Sequence, residues 1–271
     1  MRPAAFALLA AAGCSVEGDL GGGAITPACA SVCGGACVDL DADRNHCGNC
    51  STACGADEVC RSGACVYPWS TRWTAAYRET FVSPQPAGWS AYGGACAAQG
   101  PAMAPDGTTA WDLRPDWAHL RRTDPLPADG DRAWVFRIWV EPPTDRAWEV
   151  RGCVRTLLNA AYGPMNGAGC FRFSSTSGAG VAWYADDRYV TTTPVAATGR
   201  WFEFRWEIAA THRRARAWLD GAIAWEGAID DGAWSERDWW TVNVSRDGGF
   251  AGCNQGRFFL AEAREEVGGG P

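Results

Sequence analysis

Eight cysteines, Cys29, Cys33, Cys37, Cys47, Cys50, Cys54, Cys60 and Cys65, follow the pattern C-x3-C-x3-C-x9-C-x2-C-x3-C-x5-C-x4-C. The stretch that carries them has few large apolar side chains, chiefly Val38, Leu40 and Val59. It cannot be held by a core of its own, so disulfides are expected to hold it. Each would contribute roughly 2–4 kcal/mol by restricting the unfolded chain. Eight cysteines allow 105 pairings, and spacing alone does not choose among them. His46 beside Cys47 and Cys50 offers a zinc alternative, the weaker one because an even cysteine count needs no metal. Asp39, Asp41 and Asp43 alternate as calcium ligands sometimes do, but the full twelve-residue calcium loop is absent. No metal or other cofactor is therefore expected, with calcium at these aspartates and zinc at His46, Cys47 and Cys50 as the lesser alternatives.

Groups suited to catalysis are scarce. Retaining glycan hydrolysis needs two carboxylates about 5 Å apart. Glu203 and Glu207 share a face, but Arg205 stands between them, and they read as a solvated, charge-balanced surface. There is no G-x-S-x-G turn, and His46, His119 and His212 are too scattered for a triad or a metal site. No catalytic residue is assigned and no enzymatic activity is expected. Binding chemistry is better represented. Every one of the 24 basic residues is arginine, whose planar fork suits carboxylate and phosphate. Arg137, Arg151, Arg155 and Arg172, with Trp139, are expected on one outward face, where they would form an anion-binding patch. Trp183, with Asp186 and Asp187 following in a turn-like setting, is a second candidate for ligand contact. A net charge of −7 with no basic cluster argues against a nucleic-acid partner.

These groups have to be positioned by strands. Alternation at period two recurs from residue 68 to 267 and no long helical period appears. Phe202, Phe204, Trp206 and Ile208 share one face of a strand, and Trp134, Phe136, Ile138 and Val140 share one face of another. Asp220-Gly221 between two alternating arms predicts a two-residue hairpin turn with positive φ at both positions. Further strands are expected at 110–113, 148–158, 169–174, 180–185, 188–192, 239–244 and 257–264. Ten or so strands without helices predict an all-β fold, a two-sheet antiparallel sandwich or a barrel. If Val150 and Val154 face inward, Arg151, Cys153 and Arg155 face outward; Phe171 and Phe173 inward likewise put Cys170 and Arg172 outward.

The N-terminus reads as an export signal over residues 1–13: Arg2, then an apolar run from Pro3 to Ala12, then Gly13 before Cys14. The apolar run is too short to span a bilayer, and nothing else approaches the length of a span. Residues 14–28 begin with Cys14 and continue as a Gly-rich tether. Export implies an oxidising compartment, which makes disulfides the default for the remaining cysteines.

Ala10-Ala11-Ala12-Gly13-Cys14 resembles a bacterial lipobox, with Ala11 where Leu is usual. The resemblance implies acylation of Cys14 and an outer-membrane or cell-surface location by lipid anchor. The run from Cys33 to Val66, with Cys37-Val38-Asp39-Leu40 and Asn45-His46-Cys47-Gly48-Asn49-Cys50, resembles the stigma-specific cysteine-rich family and gives a module at 29–66. Gly199-Arg200-Trp201, then Leu219-Asp220-Gly221, then a closing strand through Phe258 to Glu262 resemble the laminin-G-like branch of the concanavalin A-like lectin/glucanase jelly rolls. The resemblance implies a jelly-roll domain at 68–267. A hairpin centred near Gly163 opposes Cys153 to Cys170, which leaves Cys96 to pair with Cys253, near first and last strands that are neighbours in jelly rolls of this kind. The expected whole is an exported, lipid-anchored recognition protein that binds a glycan, acidic glycans included, or a cell-surface protein. The alternatives are a structural or protein-interaction lipoprotein without sugar binding, and a diverged glycan hydrolase.

Overall fold

The computed structural model describes residues 31–84, 86–92, 100–113, 118–122, 130–141, 148–156, 167–174, 180–186, 188–211, 213–229, 239–246 and 258–269. Its elements are all strands, and the chain divides into two compact units, Met1–Val66 and Tyr67–Pro271. No helix among the described residues is long and apolar enough to cross a membrane.

The first unit contains two short hairpins, β1 (Ser31–Cys33) with β2 (Ala36–Val38) and β3 (Val59–Arg61) with β4 (Ala64–Val66). Each turns through two residues of positive φ, Gly34-Gly35 and Ser62-Gly63. Disulfides Cys33–Cys50, Cys47–Cys60 and Cys54–Cys65 replace the missing core, and Cys37 is also disulfide-bonded. Cys47 and Cys50 thus enter separate disulfides instead of sharing a zinc ion. The sulfurs of Cys47, Cys54 and Cys65 lie within 4.8 Å of one another, but all three are in disulfides and none is a thiolate able to ligate metal. Asp39 and Asp43 cap turns, accepting the backbone N–H of Asp41 and Asn45 at 2.9 and 2.8 Å. Cys14 and Cys29 lie outside the described residues.

The second unit is a two-sheet antiparallel sandwich. Its strands are β5 (Arg72–Glu79), β6 (Trp89–Tyr92), β7 (Pro101–Met103), β8 (Thr109–Leu113), β9 (Ala118–Arg122), β10 (Arg132–Val140), β11 (Trp148–Thr156), β12 (Gly167–Ser174), β13 (Gly180–Ala185), β14 (Arg188–Pro194), β15 (Arg200–Ile208), β16 (Arg214–Leu219), β17 (Ala222–Ala228), β18 (Trp239–Arg246) and β19 (Phe258–Gly269). An eight-stranded sheet runs β17-β16-β15-β10-β19-β8-β7, with β5 also paired to β19. A seven-stranded sheet runs β14-β13-β12-β11-β18-β9-β6. The turn between β16 and β17 has φ of 51° at Asp220 and 81° at Gly221, the geometry its Asp-Gly sequence predicts.

Alternation places the core. Trp134, Phe136, Phe202, Phe204 and Trp206 face Phe171, Phe173, Trp183, Val150 and Val242 across the sandwich, all essentially buried. The rings of Phe171 and Phe204 stack at 3.9 Å and 8°, joining the two sheets at their middle. Two strand glycines make room for these rings. A Cβ on Gly152 would lie 2.2 Å from the Phe171 ring, and one on Gly169 would lie 2.6 Å from the Trp206 ring.

Charge is buried at one end. Arg132 meets Glu265 at 3.2 Å with both side chains almost fully covered. Burial pushes the Glu265 carboxyl above its ordinary range, and Arg132 and Arg122 only partly oppose that shift. Beside it, the Asp131 carboxylate accepts the Tyr67 hydroxyl at 2.7 Å and the backbone N–H groups of Ser70 at 2.9 Å and Ala210 at 2.8 Å. It ties the start of the domain to the turn that follows β15.

The outer face of the eight-stranded sheet is an ion-pair lattice. Arg264 reaches Glu262 at 2.9 Å and Glu266 at 2.7 Å, Arg78 reaches Glu262 at 2.9 Å, and Arg205 reaches Glu266 at 2.5 Å. Burial alone would push Glu262 and Glu266 up, but these hydrogen bonds hold both carboxyls below their usual value. A carboxyl with a lowered folded pKa contributes stability that is present above its unfolded value and lost as pH falls through the folded one. Glu265, with a raised pKa, acts in the opposite sense: its contribution declines as pH rises from the ordinary glutamate range through its raised value. The thermal midpoint is therefore expected to fall steeply on acidification below about pH 4.5, the ordinary glutamate range. Arg264→Gln should flatten that acid limb by returning Glu262 and Glu266 toward ordinary values. An acid limb of unchanged slope in Arg264→Gln would contradict the assignment.

Candidate functional site

The residues expected to form one patch are divided between the sheets. Arg137 and Trp139 belong to β10, in the eight-stranded sheet, whereas Arg151 and Arg172 belong to β11 and β12, in the seven-stranded sheet. All four do face away from the core, as alternation requires. Their sheet membership differs from expectation because the connection from β10 to β11 passes from one sheet to the other, which side-chain period does not record. Arg137 is exposed on β10, its guanidinium 5.1 Å from the Trp201 ring, opposite Glu203 and Glu262 in register. Trp139 packs edge-on against Trp201 at 5.6 Å, in a small apolar cluster with Phe259 and Ala104. Trp201 in turn donates its indole N–H to Asp106 at 2.5 Å; this bond, with further help from the Thr108 backbone, holds the Asp106 carboxyl below its usual range.

Trp183 is not available to a ligand. It is fully buried, packs on Phe171 and Trp206, and donates its indole N–H to Thr193 at 2.9 Å. Val181, Trp183 and Ala185 are the inward positions of β13, so the outward aromatic is Tyr184. Asp186 lies in the tight turn to β14 at φ 48°; Asp187 lies outside the described residues. Arg155 falls at a register shift of β11 against β18, between Val154 and Thr156, and only its backbone is described.

What remains together is on the outer face of the seven-stranded sheet. Arg151 and Arg172 are direct cross-strand partners, both half-buried. In the adjacent row, Cys153 stands opposite Cys170, and the two form a disulfide, as the hairpin register predicts. Cys96 and Cys253, the other expected pair, lie outside the described residues. The cysteine row continues through Tyr184 to Tyr189. The two tyrosine rings meet edge-on at 6.0 Å, and Tyr189, 59% exposed, shares a hydrogen bond with Thr192 at 3.0 Å. The face therefore presents two adjacent guanidinium groups beside two aromatic rings.

Guanidinium forks match carboxylate, sulfate and phosphate oxygens, while tyrosine offers an apolar ring and a hydroxyl at its tip. Tyr184 follows Trp183 in the turn-like setting expected to contact ligand, and the inward phase of Val181 and Trp183 turns it outward; Tyr189 is not among the expected site residues.

Glu203 and Glu207 do not form a free carboxylate pair. Glu207 is 2% exposed, not solvated; it is balanced by Arg205 at 2.6 Å and by a hydrogen bond from Arg216.

Together these features define the chain as an all-β protein, a disulfide-rich module followed by a jelly-roll sandwich. The model of the stigma-specific STIG1-like protein family matches residues 23–68. No curated protein sequence matches the chain. Among solved structures, a Bacillus licheniformis beta-glucanase is similar at 9% identity and TM-score 0.48, over 71% of this chain and 98% of that one. A winged bean acidic lectin complexed with methyl-alpha-D-galactose is similar at 8% identity and TM-score 0.47, over 72% of this chain and 99% of that one. A sialidase is similar at 10% identity and TM-score 0.44 over 66% of this chain, which spans 17% of the sialidase's length.

Proposed function

We propose that the sandwich domain is a non-catalytic recognition module that binds an acidic glycan on the outer face of its seven-stranded sheet. The observation that carries this reading is the opposed pair Arg151 and Arg172 beside Tyr184 and Tyr189. The arginines engage a uronate carboxylate or a sulfate, and the tyrosine rings pack against the apolar face of the adjoining sugar. The ion pairs that occupy Glu207, together with the absence of a hydrolase carboxylate motif in the sequence, favour binding over hydrolysis. No cofactor takes part. The chain is exported and held at the outer membrane or cell surface through acylated Cys14, a reading that rests on the apolar run ending in Gly13-Cys14.

The binding reading is tested by titrating the full chain with a galacturonate tetrasaccharide and with its neutral galactose counterpart. Affinity for the acidic ligand should exceed that for the neutral one and fall with added salt, because exposed charges are screened. Arg172→Ala should weaken acidic binding by about tenfold or more, the value of one charge-assisted contact. Arg137→Ala, on the other sheet, should leave it unchanged. Acidic binding that does not weaken with added salt, or that is fully retained in Arg172→Ala, would reject the proposal. For the anchor, mass spectrometry of the mature N-terminus should find a diacyl or triacyl group on Cys14; an unmodified Cys14 would remove it.

A further inference from the structure

The opposite face of the sandwich holds a groove of about 470 Å3 between β5, β15 and β16. Its size lies within the range of small-molecule sites. Trp73 and Trp218 line it, with Thr71, Glu203, Arg205 and Arg216. The indoles are braced from within the protein. The Arg205 guanidinium lies 4.7 Å from the Trp73 ring, and that of Arg216 lies 5.0 Å from Trp218 and 4.4 Å from Trp69. Cation–π contacts of this kind restrain flat rings that would otherwise be mobile on an open sheet.

The charges of the groove are matched. Glu207 takes both Arg205 and Arg216, and Arg205 also reaches Glu266 at 2.5 Å. An anion entering here would have to compete with carboxylates already in place. Glu203 is different: its side chain is 40% exposed, and its ion pair is a long one, Arg264 at 3.4 Å. Its carboxylate is an acceptor within reach of solvent, and the Thr71 hydroxyl is both donor and acceptor.

We propose that this groove is a second binding site, for a neutral pyranose unit of a saccharide. Restrained indole faces receive the C–H surface of the ring. Glu203 accepts from ring hydroxyls, and Thr71 exchanges hydrogen bonds with them. The matched charge disfavours uronates and sulfated sugars, so the two faces of one domain differ in the sugars they hold. The inference is independent of the arginine face: it uses another sheet and another balance of charge.

The test is calorimetric titration of the full chain with cellotetraose, mannotetraose and a β-1,4-galactose tetramer. At least one should bind, with a Kd unchanged from low salt to about 0.5 M salt. Glu203→Gln and Trp73→Ala should each weaken it about tenfold, and Trp73→Tyr, which keeps an aromatic plane, should retain most of the affinity. Arg172→Ala should leave it unaffected. The Glu203→Gln and Trp73→Tyr variants keep the test decisive if Trp73→Ala fails to fold. Absence of binding by all three tetrasaccharides up to about 10 mM would overturn the proposal. So would affinity that survives Glu203→Gln and Trp73→Ala but is lost in Arg172→Ala.

Discussion

Asp131→Ala is expected to lower the thermal midpoint of the sandwich domain by about 6–12 °C. The Asp131 side chain is buried and receives three hydrogen bonds, from the Tyr67 hydroxyl and from the backbone N–H groups of Ser70 and Ala210. Alanine leaves those donors facing a void. A buried donor left without an acceptor costs about 1–3 kcal/mol. Partial access of water to the turn at Ala210, which is exposed, brings the net loss to about 3 kcal/mol. In a domain of this length each kcal/mol shifts the midpoint by about 2–4 °C. Asp131→Asn keeps one carbonyl oxygen and should fall between wild type and alanine. Differential scanning calorimetry decides it, and a midpoint within about 2 °C of wild type in Asp131→Ala would show that the three bonds are not what joins these segments.

Gly152→Val is expected to abolish cooperative folding of the domain or lower its midpoint by more than about 10 °C. Gly152 is inward-facing on β11 and is the direct cross-strand partner of Phe171, whose ring lies over it. The ring cannot retreat, because it is stacked on Phe204 at 3.9 Å and packed edge-on against Trp183 at 6.2 Å. Overpacking a well-filled core costs about 1–3 kcal/mol where neighbours can shift, and more where they cannot. Gly100→Ala is the control: no atom lies within 4 Å of the added Cβ, and the midpoint should be unchanged. A double-mutant cycle locates the clash. Gly152→Ala should cost less in a Phe171→Leu background than in wild type, with a coupling above about 0.5 kcal/mol; additive losses would assign the effect to backbone entropy instead.

The strand periods were legible wherever one face is buried. β10, β15 and β16 fall at their expected places because a buried apolar residue recurs at every second position along them. β5 gave no such signal, since its pairing with β19 shifts register between Glu265 and Glu266. The facing of side chains was equally legible, and it supports the Cys153–Cys170 disulfide, which depends on local hairpin register alone. Sheet membership was not legible. β11 to β14 form successive hairpins, but β10 to β11 crosses the sandwich, and nothing in the side chains at 140–148 distinguishes a crossing from a turn. Arg137 was therefore grouped with arginines on the far sheet. The Trp73–Trp218 groove was out of reach for the same reason: β5 and β16 are brought to one face by pairings with β19, β10 and β15 that span most of the domain. Trp183 shows a different lapse, in which a residue type associated with ligands outweighed an alternation that already placed it inside.

β19 lies in the interior of its sheet, with β10 along one edge and β8 and β5 sharing the other. Until residues 258–269 are in place, the strands on either side of it have nothing to bridge them, and Phe258, Leu260 and Ala263 are missing from the core. The domain therefore has no partly synthesised form with a closed eight-stranded sheet. Its contacts are mostly between residues far apart in sequence, which slows folding. The Cys153–Cys170 hairpin, whose two strands are close in sequence, can therefore form and be cross-linked before the eight-stranded sheet is sealed.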